Sequence, residues 1–195
     1  MLNEKTNQSH KVKVLLKIIA GAAIVTMALW FGLQVAQSEN LQTQLLSFGY
    51  IGAFLISVVS GFNLVVPIPA ISFLPALTEA GLDFWISILV ITAGMTVGDS
   101  IGYILGRLGR NVSLFLHSRV IGKLESWRDR HFLLPLLAVF IFAAIVPLPN
   151  EIIVIPAALI GYKFGPVFLS AICGNLIFNI LTAFGLVNLF SLLIK

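Results

Sequence analysis

Residues 84–106 read FWISILVITAGMTVGDSIGYILG. The stretch is apolar and reaches the roughly 20 residues that a helix needs to cross the hydrocarbon core of a bilayer. Gly94, Gly98, Gly102 and Gly106 recur at every fourth position. That spacing lays them along one helix face, a ridge on which other helices can approach closely. Thr92, Thr96, Asp99 and Tyr103 follow at steps of four, three and four, which makes a polar stripe on one face. Asp99 is the only charge in the stretch. A carboxylate inside a membrane span is energetically expensive, which points to function; the alternative is a structural hydrogen-bonding role. Arg107 follows at once, where such a helix would leave the lipid.

The rest of the chain agrees with this membrane reading. Of its 195 residues, 58% are hydrophobic and 10% charged. Soluble domains carry about 25% charged residues, so the balance is that of an integral membrane protein, here of one domain. Cys173 is the only cysteine, which excludes a disulfide within the chain. His10, His117 and His131 have no metal-ligand spacing. There is no phosphate-binding glycine loop, nucleophile elbow or zinc signature. No enzyme chemistry, catalytic residue, cofactor or metal is therefore expected. The basic residues flank apolar segments, which speaks for topology and against nucleic-acid binding.

Outward from the central stretch, residues 1–13 are polar and basic and residues 14–36 form an apolar helix candidate. That run exceeds the roughly 7–15 residues of a signal-peptide core, so an uncleaved N-terminal anchor is favoured over a cleaved signal. Residues 48–66 are apolar, break at Pro67 and Pro69, and continue as a short limb to residue 77. Residues 107–131 hold six Lys or Arg against Glu125 and Asp129. Within them Val112, Leu116, Val120, Leu124 and Trp127 recur at helical spacing, the pattern of an amphipathic connector on the membrane surface. Residues 132–146 are apolar, break at Pro147 and Pro149, and continue as a short limb to residue 160; a last helix covers 166–194.

Charge decides the topology. Four lysines precede residue 18 and six basic residues lie within 107–130, whereas the loops 37–47 and 78–83 hold none. The positive-inside rule puts the first two groups in the cytoplasm. A full crossing by 48–66 would carry the six basic residues of 107–130 outside. Re-entrant hairpins at 48–77 and 132–160, entering from opposite faces and turning at their prolines, satisfy every charge. The hairpins also define a repeat. Val66-Pro67-Ile68-Pro69 matches Val146-Pro147-Leu148-Pro149, and Gly81 and Phe84 recur as Gly161 and Phe164, each 80 residues on. Val97-Gly98-Asp99 parallels Cys173-Gly174-Asn175. The expected fold is an all-α polytopic bundle with two inverted re-entrant hairpins, each followed by a transmembrane helix, an arrangement typical of transporters.

Residues Gly98-Asp99-Ser100-Ile101-Gly102-Tyr103-Ile104-Leu105-Gly106-Arg107 resemble the GDxxGYxxGR signature of the DedA family, also called the VTT or SNARE-associated membrane family. The order of hairpins, helices and basic connector over 48–190 agrees with it. The resemblance implies a multi-pass cell (inner) membrane protein, N-terminus cytoplasmic, that flips or scrambles polyprenyl phosphates or phospholipids. Dependence on the proton gradient is a frequent companion. Asp99, Tyr103, Gly106 and Arg107 carry over directly. The family's acid after the first hairpin and its arginines around the second do not: Pro69 is followed by Ala70-Ile71, and Pro149 by Asn150-Glu151. The chain is in that sense a divergent member.

The expected substrate or proton pathway runs through Asp99, Glu151, Tyr103, Arg107, Asn150, Asn175 and Asn179. Two hairpin tips aim helix N-termini at the midplane, which suits a phosphate. Asn150 is also a good N-cap for the limb that follows it. Asn175 and Asn179 lie four apart and could complete a polar path or bond neighbouring helices. Asp99 and Glu151 could exchange protons. Membrane lipids are the expected partners, and a homo-oligomer stays open. Export of a small solute or drug, and a non-transporting assembly role, are the alternative functions.

Overall fold

The computed structural model describes residues 33–61, 70–109 and 119–194, together with 23, 26, 27, 30 and 31. Pro67 and Pro69 lie outside these residues, as does most of the expected N-terminal helix. The regular elements are α1 (Glu39–Gly61), a 3-10 turn (Ala70–Phe73) running into α2 (Leu74–Glu79), α3 (Phe84–Gly109), α4 (Arg119–Arg130), α5 (Leu133–Ile145), α6 (Glu151–Leu159) and α7 (Phe164–Ile194). Helix α1, helix α3 and residues Phe164–Leu192 of α7 are long and apolar enough to cross a membrane. Ile51, Leu55, Leu133 and Leu181 are exposed, whereas Thr92, Thr96, Asp99, Glu151, Asn175 and Asn179 are buried. Apolar side chains outside and polar ones within are what a chain solvated by lipid requires, because hydrocarbon offers no hydrogen bonds. The protein is an all-helical membrane protein.

Two units follow one plan. In each, a first limb is followed by a short limb, a glycine ends the short limb, and a long helix comes next. The short limbs end in the same cap. Gly81 and Gly161 both have positive φ, 97° and 90°. Their own amides donate to Thr78 O and Ala158 O, and the next amides, of Leu82 and Tyr162, donate back to Leu77 O and Ala157 O. This is the left-handed glycine cap of a helix end, formed twice at a separation of 80 residues. A further tie repeats with its roles exchanged. The Asp83 amide donates to the Tyr50 hydroxyl at 3.0 Å, and the Tyr162 hydroxyl donates to Phe132 O at 2.7 Å. Each tie fastens the loop before a long helix to the start of its own first limb.

Helix α1 begins at Glu39, nine residues before the apolar limb expected from hydropathy, and it breaks at Gly49, where φ is 51°. Beyond that break, residues 50–61 form a twelve-residue limb, close to the thirteen residues of α5. The break therefore makes the first limbs of the two units alike.

The units interlock through their short limbs. Helix α3 packs on α1 of its own unit and on α6 of the other; α7 packs on α5 and also meets the 3-10 turn and α2. The glycine ridge of α3 serves both contacts. A side chain at Gly94 or Gly98 would collide with the α1 backbone at Phe54 or Val58, and one at Gly106 with α6 at Ile155. In α7, Gly174 sits equally close to Phe140 and Ala143 of α5. Among the described residues the two larger of three apolar cores result from this packing. One surrounds α6, and the other surrounds the 3-10 turn and α2. Ile121 and Leu124 of α4 are buried in the first, with Trp127 packed against it. That part of the connector's apolar stripe is thus covered by protein.

Candidate functional site

The polar stripe of α3 meets α7 where the two long helices cross, because the residues after Gly98 and Gly174 are turned inward. Asp99 follows Gly98, and Asn175 follows Gly174. Asn175 Nδ2 donates to Asp99 Oδ2 at 2.7 Å and to Thr96 Oγ1 at 3.1 Å. One turn further along α7, Asn179 Nδ2 donates to Thr92 Oγ1 at 3.0 Å and approaches Met95 Sδ at 3.5 Å. The two asparagines, four residues apart, pair with the two threonines, also four apart.

The turn between α5 and α6 completes the cluster. Asn150 Nδ2 donates to Asp99 Oδ2 at 3.0 Å and to Asn175 Oδ1 at 2.8 Å. One carboxylate oxygen thus accepts from a hairpin turn and from a long helix of the same unit. Asn150 does not act as an N-cap. Its backbone is already helical (φ −64°, ψ −19°) and its side chain makes no capping bond, so its amide is free to reach across to α3. Glu151 is buried at 1% exposure. Its Cγ lies over Gly102, where an added Cβ would come within 2.9 Å. Gly102 is three residues from Asp99, so the two carboxyl-bearing side chains occupy one face of α3 within about one turn. The missing side chain at 102 is what lets Glu151 in.

The remaining expected residues divide. Tyr103 leaves the cluster: its hydroxyl donates to Tyr162 O at 2.6 Å and fixes the loop before α7. Arg107 is exposed at the end of α3. Pro147 and Pro149 lie in the non-helical segment between α5 and α6. Arg128 was not foreseen as a site-supporting residue. Its Nη1 donates to Ile160 O at 2.7 Å, satisfying a carbonyl at the C-terminal end of α6, where a cation also opposes the helix dipole. A basic residue in a connector gives no sequence signal for such a distant cap.

Beside Asp99 lies a cavity of about 10 Å³, bounded by Thr96, Ser100, Tyr103, Phe164, Phe168 and others. That volume admits about one water molecule. Among the described residues, no group of three His, Cys, Asp or Glu could hold a metal ion. The chain matches no family model, no curated protein and no solved structure.

Proposed function

We propose that the protein is a membrane transporter of the DedA type that moves a phosphate-bearing lipid across the bilayer, with proton exchange at Asp99 and Glu151. The observation that carries this reading is the double donation by Asn150. A hairpin turn and both long helices converge on one buried carboxylate. Movement of the hairpin would break those bonds, so the protonation of Asp99 and the position of the turn are coupled through shared hydrogen bonds.

The re-entrant, inverted arrangement belongs to the same proposal. Helices α5 and α6 have thirteen and nine residues, about 20 and 14 Å at 1.5 Å per residue, well short of a hydrocarbon core of about 30 Å. The Gly49 break gives the first unit a comparable limb. Charge placement favours a cytoplasmic N-terminus and basic connector, and the resemblance to the DedA family implies the cell membrane. Cysteines introduced at residues 40 and 80 are expected to react from outside and one at residue 163 from inside, in a background lacking Cys173. Cytoplasmic reaction at residue 80 would overturn the hairpin topology.

With space for about one water beside Asp99, this conformation is closed to a headgroup. Transport requires the second hairpin and the α3–α7 crossing to part. Purified protein in proteoliposomes is expected to accelerate movement of a fluorescent phospholipid or polyprenyl phosphate, and a pH gradient should alter the rate. Rates equal to empty vesicles for both lipids, with and without a gradient, would sink the proposal.

A further inference from the structure

A second feature lies on the other side of the molecule, between α1 and the limb formed by the 3-10 turn and α2. It is a groove of about 440 Å³, some forty times the cavity beside Asp99. Leu45, Phe48 and Ile56 of α1 line it with Phe73 and Leu77, together with Phe31 ahead of α1 and Ile91 of α3. From Leu45 to Ser57 it follows α1 for about 18 Å.

We infer that this groove binds a single hydrocarbon tail of a bilayer lipid. Its chemistry excludes a headgroup. No charged residue lines it, and Ser57, its one hydroxyl, already donates to Ala53 O at 2.7 Å. Its origin is backbone geometry: Gly49 bends α1 with φ of 51°, and nothing lies within 4 Å of where a side chain there would begin. Its surroundings supply the occupant. Phe48, Ile51 and Leu55 stand exposed at its rim on a helix long enough to cross a membrane, where the neighbouring molecules are lipid tails. An empty apolar groove of this size forfeits dispersion contacts that a tail restores.

The groove is distinct from the site of the buried acid. Ile91 and Asp99 are eight residues apart, about 12 Å along α3. The inference rests on membrane embedding alone, so it stands or falls separately from lipid transport.

The test uses the full-length protein in nanodiscs that contain a phospholipid with a diazirine in mid-tail. After irradiation, adducts are mapped by peptide mass spectrometry. Adducts should concentrate in residues 45–57 and 70–77, above those on the equally lipid-facing Leu133 and Leu181. Leu45→Trp and Ile56→Trp, which fill the groove from half-exposed and exposed positions, should each lower that signal about tenfold at unchanged folded yield. Uniform labelling of all lipid-facing helices, or labelling unaffected by both tryptophans, overturns the inference. So does adduct-free groove peptides, the result expected if another part of this chain or a second copy covers them. Mapping on the unaltered protein decides the matter even if a variant fails to fold.

Discussion

Ala70 and Asn150 occupy the same place in the two units, at the start of the short limb and 80 residues apart. Ala70 is buried, and its amide donates to Ser60 Oγ at 3.0 Å, so the first short limb is capped from α1 and inert. Asn150 sends its side chain to Asp99 and Asn175 instead. The next residues diverge likewise: Ile71 fills a core, and Glu151 faces Gly102. The long helices diverge less, since Asp99 and Asn175 touch each other. Packing in this protein is therefore duplicated while polarity is not. Duplicated packing builds the frame, and a few unmatched side chains on one hairpin put chemistry at its centre.

The largest expected effect tests the duplicated part. Leucine at Gly98 would place a Cβ 2.5 Å from Val58 O, and at Gly174 it would sit 2.7 Å from Phe140 O. Both substitutions should destabilise the fold by about 3 kcal/mol or more, read as loss of monodisperse protein on size exclusion. If only one is harmful, the units are not packed alike.

The unmatched part is tested next. Asp99→Asn and Glu151→Gln should insert and fold normally yet lower lipid movement at least about tenfold and flatten its response to a pH gradient. Ile71→Val, at the place equivalent to Glu151, should cost about 1 kcal/mol and leave transport within about twofold. Equal loss from all three would mean that both tips do the same work.

Ser60→Ala sharpens the contrast at the caps. It removes the acceptor for the Ala70 amide and should cost about 1 kcal/mol in thermal stability with transport unchanged.

The smallest effect concerns the loops. Burial pushes the Tyr162 phenol above its ordinary value of 10.0, with Arg128 opposing the shift. The folded protein thus favours the protonated phenol. Its contribution is complete below about pH 10 and is lost as pH rises through the folded-state value. Leu82, at the equivalent place, cannot titrate. Tyr162→Phe should lose about 1 kcal/mol at neutral pH and show a flatter decline in melting temperature above pH 10.

Much of this frame is legible in the residues. The spacing of Gly94 to Gly106 gives the ridge, Thr92-Thr96-Asp99 gives the stripe, and the match of Gly81 with Gly161 gives the repeat, because each depends on helix period or on the φ only glycine adopts easily. Two things are not legible. A lone glycine in an apolar run does not reveal whether it packs a helix or breaks one, so the bend at Gly49 and the groove beside it stay hidden. Nor does helix period say which neighbour a side chain meets. Tyr103 shares the stripe of Asp99 but, four residues on, meets only the first turn of α7 at Phe164 and bonds the Tyr162 loop. Asn150 has the composition of a cap and the dihedrals of a helix, and only the backbone distinguishes them.

The interlocking short limbs have a consequence for how the chain is made. Helix α3 leaves the ribosome well before α6 and α7, so during synthesis Thr92, Thr96 and Asp99 enter the bilayer without Asn150, Asn175 or Asn179 to receive them. The first half cannot complete its own core, since Ala183, Leu186 and Phe190 of α7 belong to it. Biogenesis must hold a half-built protein, with its acid unshielded, until the last helix arrives. Two separately expressed halves should therefore recover the assembled protein only when made together.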